Sequence, residues 1–231
     1  MKKSLLALST AALLALPLSL SAQGFGVAAR AGTLGIGAEG ALGLSDNLVI
    51  RGGIGLMPLE LDPTSFWDPG TDVDATLKLP ETWFNIGADL YLGGGFRIGG
   101  GMLFKPDDPT VTGSLAGSAS IEIGGQTYTA TEVAEVQGTL DSKDKAPYVL
   151  IGFGKHTSTG IGLFLDLGVA MLGEPEVKLE ALSGSAANPS SPLYSQLQTR
   201  LRQEETNIEN DVGTYLKFWP ILNIGIRFGV G

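Results

Sequence analysis

The sequence contains no cysteine and only one histidine. The absence of cysteine excludes a disulfide framework, a thiolate metal site and a lipoprotein anchor. Any imidazole chemistry rests on His156 alone. Long hydrophobic runs are also scarce. Apart from residues 5–20, no stretch approaches the roughly 18 apolar residues that a membrane-spanning helix needs. A chain of this kind can cross the periplasm without being held in an inner membrane. The one apolar run follows the basic Met1-Lys2-Lys3 and ends in small residues at 19–22, the layout of a secretory signal cut after Ser21 or Ala22. Residues 1–22 are therefore read as a signal peptide and residues 23–231 as a single domain.

What the chain has in abundance is alternation. In residues 215–228 one parity reads Leu216, Phe218, Pro220, Leu222, Ile224, Ile226 and Phe228. The other reads Tyr215, Lys217, Trp219, Ile221, Asn223, Gly225 and Arg227. Successive strand side chains point to opposite faces, so one face is wholly apolar and the other carries charge. The apolar face recurs on strand after strand, with no second layer in the sequence to cover it. This pattern predicts an all-β fold: an antiparallel transmembrane β-barrel whose outside meets lipid. The 43% hydrophobic content and 34 glycines would by themselves suggest a globular or low-complexity chain. Most in-strand glycines, however, fall on the inward parity, where a small barrel has little room.

Short turns at 45–47, 93–95 and 155–160 alternate with long segments at 58–80, 106–146 and 172–214. Outer-membrane barrels have short periplasmic turns and longer extracellular loops, so the asymmetry also sets the orientation. Seven strands fall at 33–45, 48–57, 81–92, 96–105, 147–154, 161–171 and 215–228. An eighth is expected at 24–31, where the apolar parity slips near Gly32, as a tight turn requires. A single long bulged strand is the alternative. Within the long segments, residues 121–128 read as a hairpin turning at Gly124-Gly125, so the segment 106–146 is expected to extend the wall above the membrane. Residues 193–210 read as a short amphipathic helix, with Leu193, Leu197, Leu201 and Ile208 at helical spacing.

Seven of the nine phenylalanines fall on the lipid parity in two bands: Phe25, Phe96, Phe153 and Phe228 at the short-turn ends, and Phe84, Phe104 and Phe218 at the long-segment ends. Two aromatic girdles at headgroup depth are the expected arrangement. Of the 24 acidic residues, 19 lie in the three long segments, against six of the 15 basic ones. Most remaining charges map inward: Arg30, Arg51, Arg97, Lys217 and Arg227 against Glu39, Glu81, Asp89 and Asp166. An eight-stranded barrel is barely wide enough for its own side chains, so desolvated charges there must pair. The near balance predicts a plugged lumen.

The barrel pattern and the terminal strand resemble the small eight-stranded outer-membrane proteins of Gram-negative bacteria. Four segments are similar to an uncharacterised proteobacterial group of such proteins: 31–39 (AGTLGIGAE), 123–133 (IGGQTYTATEV), 146–154 (APYVLIGFG) and 218–228. The resemblance implies residence in the bacterial outer membrane, contact with its lipids and lipopolysaccharide, and insertion by the barrel-assembly machinery. It implies no established activity. Barrels of this type usually end on an aromatic residue, whereas here Gly229-Val230-Gly231 follows Phe228.

Three motifs have alternative readings. His156-Thr-Ser158 resembles the His-x-Ser pair of outer-membrane lipid A deacylases, with Asp166 as a candidate orienting acid. The pair lies in a short periplasmic-side turn, away from the outer leaflet, so His156 is read as a solvated turn histidine. Asp68, Asp72 and Asp74 could share a divalent cation through hard oxygen ligands, but their spacing is not that of a calcium-binding loop. The glycine-rich turn at 93–95 precedes no helix and cannot cradle phosphate. The leading expectation is a monomeric, non-enzymatic integral outer-membrane protein. It would bind no cofactor and no nucleic acid, and would serve an envelope-structural or surface-interaction role with a partner the sequence does not identify. Passive transport of a small or hydrophobic solute is the alternative, and lipid modification through His156 and Ser158 the third.

Overall fold

The computed structural model describes residues 24–62 and 72–230. Fifteen strands and one helix follow in chain order: β1 (Phe25–Gly32), β2 (Ile36–Gly43), β3 (Leu48–Leu56), β4 (Glu60–Leu61), β5 (Val73–Lys78), β6 (Thr82–Gly93), β7 (Phe96–Phe104), β8 (Thr110–Leu115), β9 (Ser120–Ile123), β10 (Gln126–Thr129), β11 (Glu135–Asp141), β12 (Lys145–Phe153), β13 (Gly160–Met171), β14 (Glu176–Ser183), α1 (Tyr194–Leu216) and β15 (Phe218–Val230). Eight strands close a barrel in the order β1-β15-β13-β12-β7-β6-β3-β2, and every neighbouring pair is antiparallel. The first and last strands form the seam, from Phe25 opposite Val230 to Gly32 opposite Asn223.

The sequence alternation becomes inside and outside. On β15, Leu222, Ile224, Ile226 and Phe228 are exposed, while Ile221, Asn223 and Gly225, alternating with them, are buried. Ile224 is 60% exposed and Asn223 2%. In water such an apolar exterior would be untenable at this extent; against hydrocarbon it is the required surface. The strand at 24–31 is a separate element: residues 33–34 turn the chain between β1 and β2, with the Gly35 amide donating to the Gly32 carbonyl at 3.0 Å.

Three details differ from the sequence reading. First, the long segments are not simply loops. β4, β5, β8, β11 and β14 form a second sheet in the order β14-β11-β8-β5-β4, which repeats the order of the barrel strands they adjoin in the chain. Pro58, Pro80, Pro106 and Pro175 stand at four of the five junctions. Proline lacks the amide that a ladder needs, so the wall is interrupted there and resumes as a separate sheet. Second, α1 is longer than expected and continues to Leu216. Third, β15 therefore begins at Phe218, not Tyr215. At its other end β15 includes Gly229 and Val230, which pair with β13 and β1, so these residues belong to the closing strand. β9 and β10 form the expected hairpin with Gly124-Gly125 at its turn, both at positive φ.

Candidate functional site: the closed lumen

The lumen is filled in three layers. The outermost is apolar: Leu34, Met57, Trp83, Leu103, Tyr148, Leu172 and Ile221 pack together, and Trp219 lies against Trp83 with ring centroids 4.8 Å apart. The Trp219 indole donates to the Thr33 carbonyl at 3.2 Å, which ties this lid to the β1–β2 turn.

The middle layer is ionic. Arg51 reaches Glu39 (3.1 Å), Asp89 (3.1 Å) and Asp166 (3.0 Å). Arg97 pairs with Asp89 at 2.8 Å and also with Asp166, and Arg30 pairs with Glu39 at 3.3 Å. These three cations and three carboxylates come from six different strands (β1, β2, β3, β6, β7 and β13), and each is essentially buried. Equal numbers matter, because an unmatched charge in such a site loses its water with no compensating attraction. β12 contributes room: a Cβ on Gly152 would fall within 2.7 Å of both the Arg97 guanidinium and Asp166.

The innermost layer, at the short-turn end, contains the one histidine. His156 is 1% exposed, which corrects its reading as a solvated turn residue. Its Nε2 lies 3.0 Å from Glu39 Oε1, its Nδ1 3.2 Å from the Tyr91 hydroxyl, and its ring 4.6 Å from that of Phe164. The turn between β12 and β13 folds inward, and three strands bond to its backbone. The Tyr91 hydroxyl accepts from the His156 amide (3.0 Å), Arg97 donates to the Gly154 carbonyl (2.6 Å), and Arg227 donates to the carbonyls of Ser158 and Gly160 (3.1 Å to the latter). Glycine in the two seam strands admits the turn. A Cβ on Gly26 would stand 2.1 Å from the His156 carbonyl oxygen, and one on Gly229 2.2 Å from that of Ser158.

Of the nine inward charges predicted, Arg30, Glu39, Arg51, Asp89, Arg97 and Asp166 meet in the ionic layer. The other three do not. Arg227 lies inside but binds backbone carbonyls rather than a carboxylate. Glu81 is exposed just before β6, where its carbonyl accepts the Met57 amide. Lys217 precedes β15, outside the lid, and pairs with Glu174 at 2.9 Å. Both ring nitrogens of His156 are turned to Glu39 and Tyr91, so the His156–Ser158 pair is not arranged as base and nucleophile, and Asp166 serves the arginines instead. Asp68 lies outside the described residues. Asp72 stands in the turn just before β5 and Asp74 is its second residue, and among the described residues no group of three or more His, Cys, Asp or Glu is placed to hold a metal ion. On the outer wall, Phe25, Phe84, Phe153, Phe218 and Phe228 are exposed, and Phe96 and Phe104 are half-buried. Phe96 and Phe153 form a ring pair 5.3 Å apart at the short-turn end, while Phe84 lies opposite Phe104 near the long-segment end.

The second sheet has its own electrostatics. A hydrogen bond from Lys178 holds the Asp141 carboxyl below its ordinary range and raises the Lys178 ammonium above its own. Lys217 lowers Glu174 in the same way. The Glu132 carboxyl is lowered by accepting the Thr129 amide and hydroxyl, each at 2.9 Å. α1 covers the edge strand β14: Glu205 accepts the Leu179 amide at 2.7 Å and Glu209 the Val177 amide at 2.9 Å. Beneath it, Leu197 and Leu201 pack with Ile123, Tyr128 and Val133.

No protein-family model and no curated protein sequence matches the chain. Solved structures do. The crystal structure of Acinetobacter baumannii CarO2 superposes with a TM-score of 0.61 at 20% identity, covering 91% of this chain and all of that one. That of A. baumannii CarO gives 0.55 at 20% identity, covering 88% of this chain and 96% of that one. The chain therefore has the fold of the small eight-stranded outer-membrane β-barrels of Gram-negative bacteria.

Proposed function

We propose that this chain is an integral outer-membrane protein with a closed lumen, and that its role is non-enzymatic: structural in the envelope, or interactive at the cell surface through the sheet and helix above the barrel. The observation that carries the reading is the balanced ionic layer, which fills the cross-section with side chains bonded to one another. The apolar exterior and its phenylalanine bands support contact with membrane lipids. The polar second sheet, at the end read as external, suits lipopolysaccharide headgroups and surface partners. Insertion would fall to the barrel-assembly machinery, and a monomer suffices to close the barrel. His156, Glu39 and Tyr91 serve the plug in this reading, without cofactor or metal.

The deciding measurement is the conductance of the refolded protein in a planar bilayer. A closed plug gives no current steps above the bare membrane. Sustained conductance from the unaltered protein would overturn the reading in favour of passive solute passage. Fractionation with outer membranes, and a gel mobility that changes on boiling, check the membrane assignment separately. Recovery as a soluble periplasmic protein would end it.

A further inference from the structure

Between the ionic layer and the apolar lid lies a cavity of about 10 Å³, walled by Arg30, Arg51, Asn85, Tyr148 and Asn223 and lined on its apolar side by Leu34, Leu150 and Ile221. The five polar residues come from β1, β3, β6, β12 and β15, and each is more than nine-tenths buried. Arg30 spends one nitrogen on Glu39; its Nε and Nη2 have no partner within the protein. Nor does Asn223 Oδ1, while the Tyr148 hydroxyl and Asn85 reach one another and have no further partner. So many under-bonded polar atoms around one small gap depart from the general rule that buried polar groups are bonded.

We infer that this cavity is a binding site for a single, permanently held water molecule. Volume admits nothing larger, since about 10–15 Å³ of this kind is the space one water occupies. Chemistry selects the same guest. A cation would face the guanidinium groups of Arg30 and Arg51, and an anion would face the two asparagine carbonyls. A water donates to Asn85 and Asn223, accepts from Arg30, and meets the Tyr148 hydroxyl, which can play either part. The bound water completes the hydrogen bonding of Arg30 and so holds its remaining nitrogen on Glu39. It is a structural member of the plug, and its presence does not depend on the physiological role proposed above.

A high-resolution crystal structure of the full mature protein, with a second crystal soaked in sodium bromide, tests the site. A single peak bonded to Arg30, Asn85, Tyr148 and Asn223, with no anomalous bromide signal, is the expected result. A bromide peak would mean that both amides are turned to donate and that the guest is an anion. An empty gap, or side chains bonded directly across it, would equally overturn the inference. A solution measurement stands beside it: unfolding midpoints in urea for Tyr148→Phe, Asn223→Ala and the double variant. If both side chains act through one water, the double variant unfolds close to the more sensitive single. Fully additive shifts would mean that they do not share a guest.

Discussion

Arg51 touches all three buried carboxylates, so its removal strips compensation from Glu39, Asp89 and Asp166 at once. Arg51→Met should cost about 3–5 kcal/mol, the range for breaking a buried pair from one side. Urea unfolding in detergent measures this, and a cost no greater than that of Lys217→Met would mean the layer is not held by charge. The exposed pairs behave differently. Glu132 is held below its ordinary range by Thr129, so its contribution is present above the unfolded carboxylate value and disappears as pH falls through the depressed one. NMR titration of Glu132 should give a midpoint below the usual glutamate range that returns towards it in Thr129→Val, which keeps the amide bond but not the hydroxyl. Parity was enough to name the six charges of the ionic layer, because inside and outside alternate strictly along a strand. It failed for Glu81 and Lys217 because the same parity was extended past the strand ends, where it no longer means anything. His156 was misread because composition makes turns look solvated. The available signal was remote: glycine at 24, 26 and 229, in and beside the first and last barrel strands, where the turn is seated.

At the scale of elements, that inward turn depends on two absent side chains. Gly26→Val keeps an extended backbone possible but places atoms where the His156 carbonyl stands. The cysteine-free chain makes the test clean: Thr157→Cys, buried in the native fold, should react slowly with a maleimide and several-fold faster when Gly26→Val is added. Equal rates would show that the turn is not held by its seat. α1 offers a second case. Replacing Glu205 and Glu209 with alanine should speed hydrogen exchange at the Leu179 and Val177 amides while leaving β12 unchanged, since only the edge strand loses acceptors. On the barrel wall, Ile224→Arg should cost about 2–4 kcal/mol near the membrane midplane. The neighbouring Asn223→Ala should show no such dependence on depth. The eight barrel strands were legible because each carries a full apolar face. The second sheet was not. Its strands alternate too, as in EVKLEALS, but they are short, charged and bounded by proline, which reads as loop. The end of α1 was lost because Tyr215 and Leu216 fit both a helical and a strand period.

Taken as a whole, the molecule has a front and a back. Five barrel strands continue into the second sheet, whereas β1 and β2 are joined by a tight turn and β15 is preceded by α1. The outer end is therefore high on one side and low at the seam. The seam itself decides when the protein can exist. β1 is the first of the eight barrel strands in chain order and β15 the last, yet each is the other's hydrogen-bonding neighbour from Phe25–Val230 to Gly32–Asn223. Until β15 is made, β1 has a bare edge, and closing the ring brings together segments about two hundred residues apart, at a cost in loop entropy. Truncation after Leu216 should consequently yield no smaller barrel, only a chain without heat-modifiable mobility. Assembly is post-translational by geometry. For the interval between synthesis and closure, the apolar faces that later meet lipid must be shielded by something other than this protein.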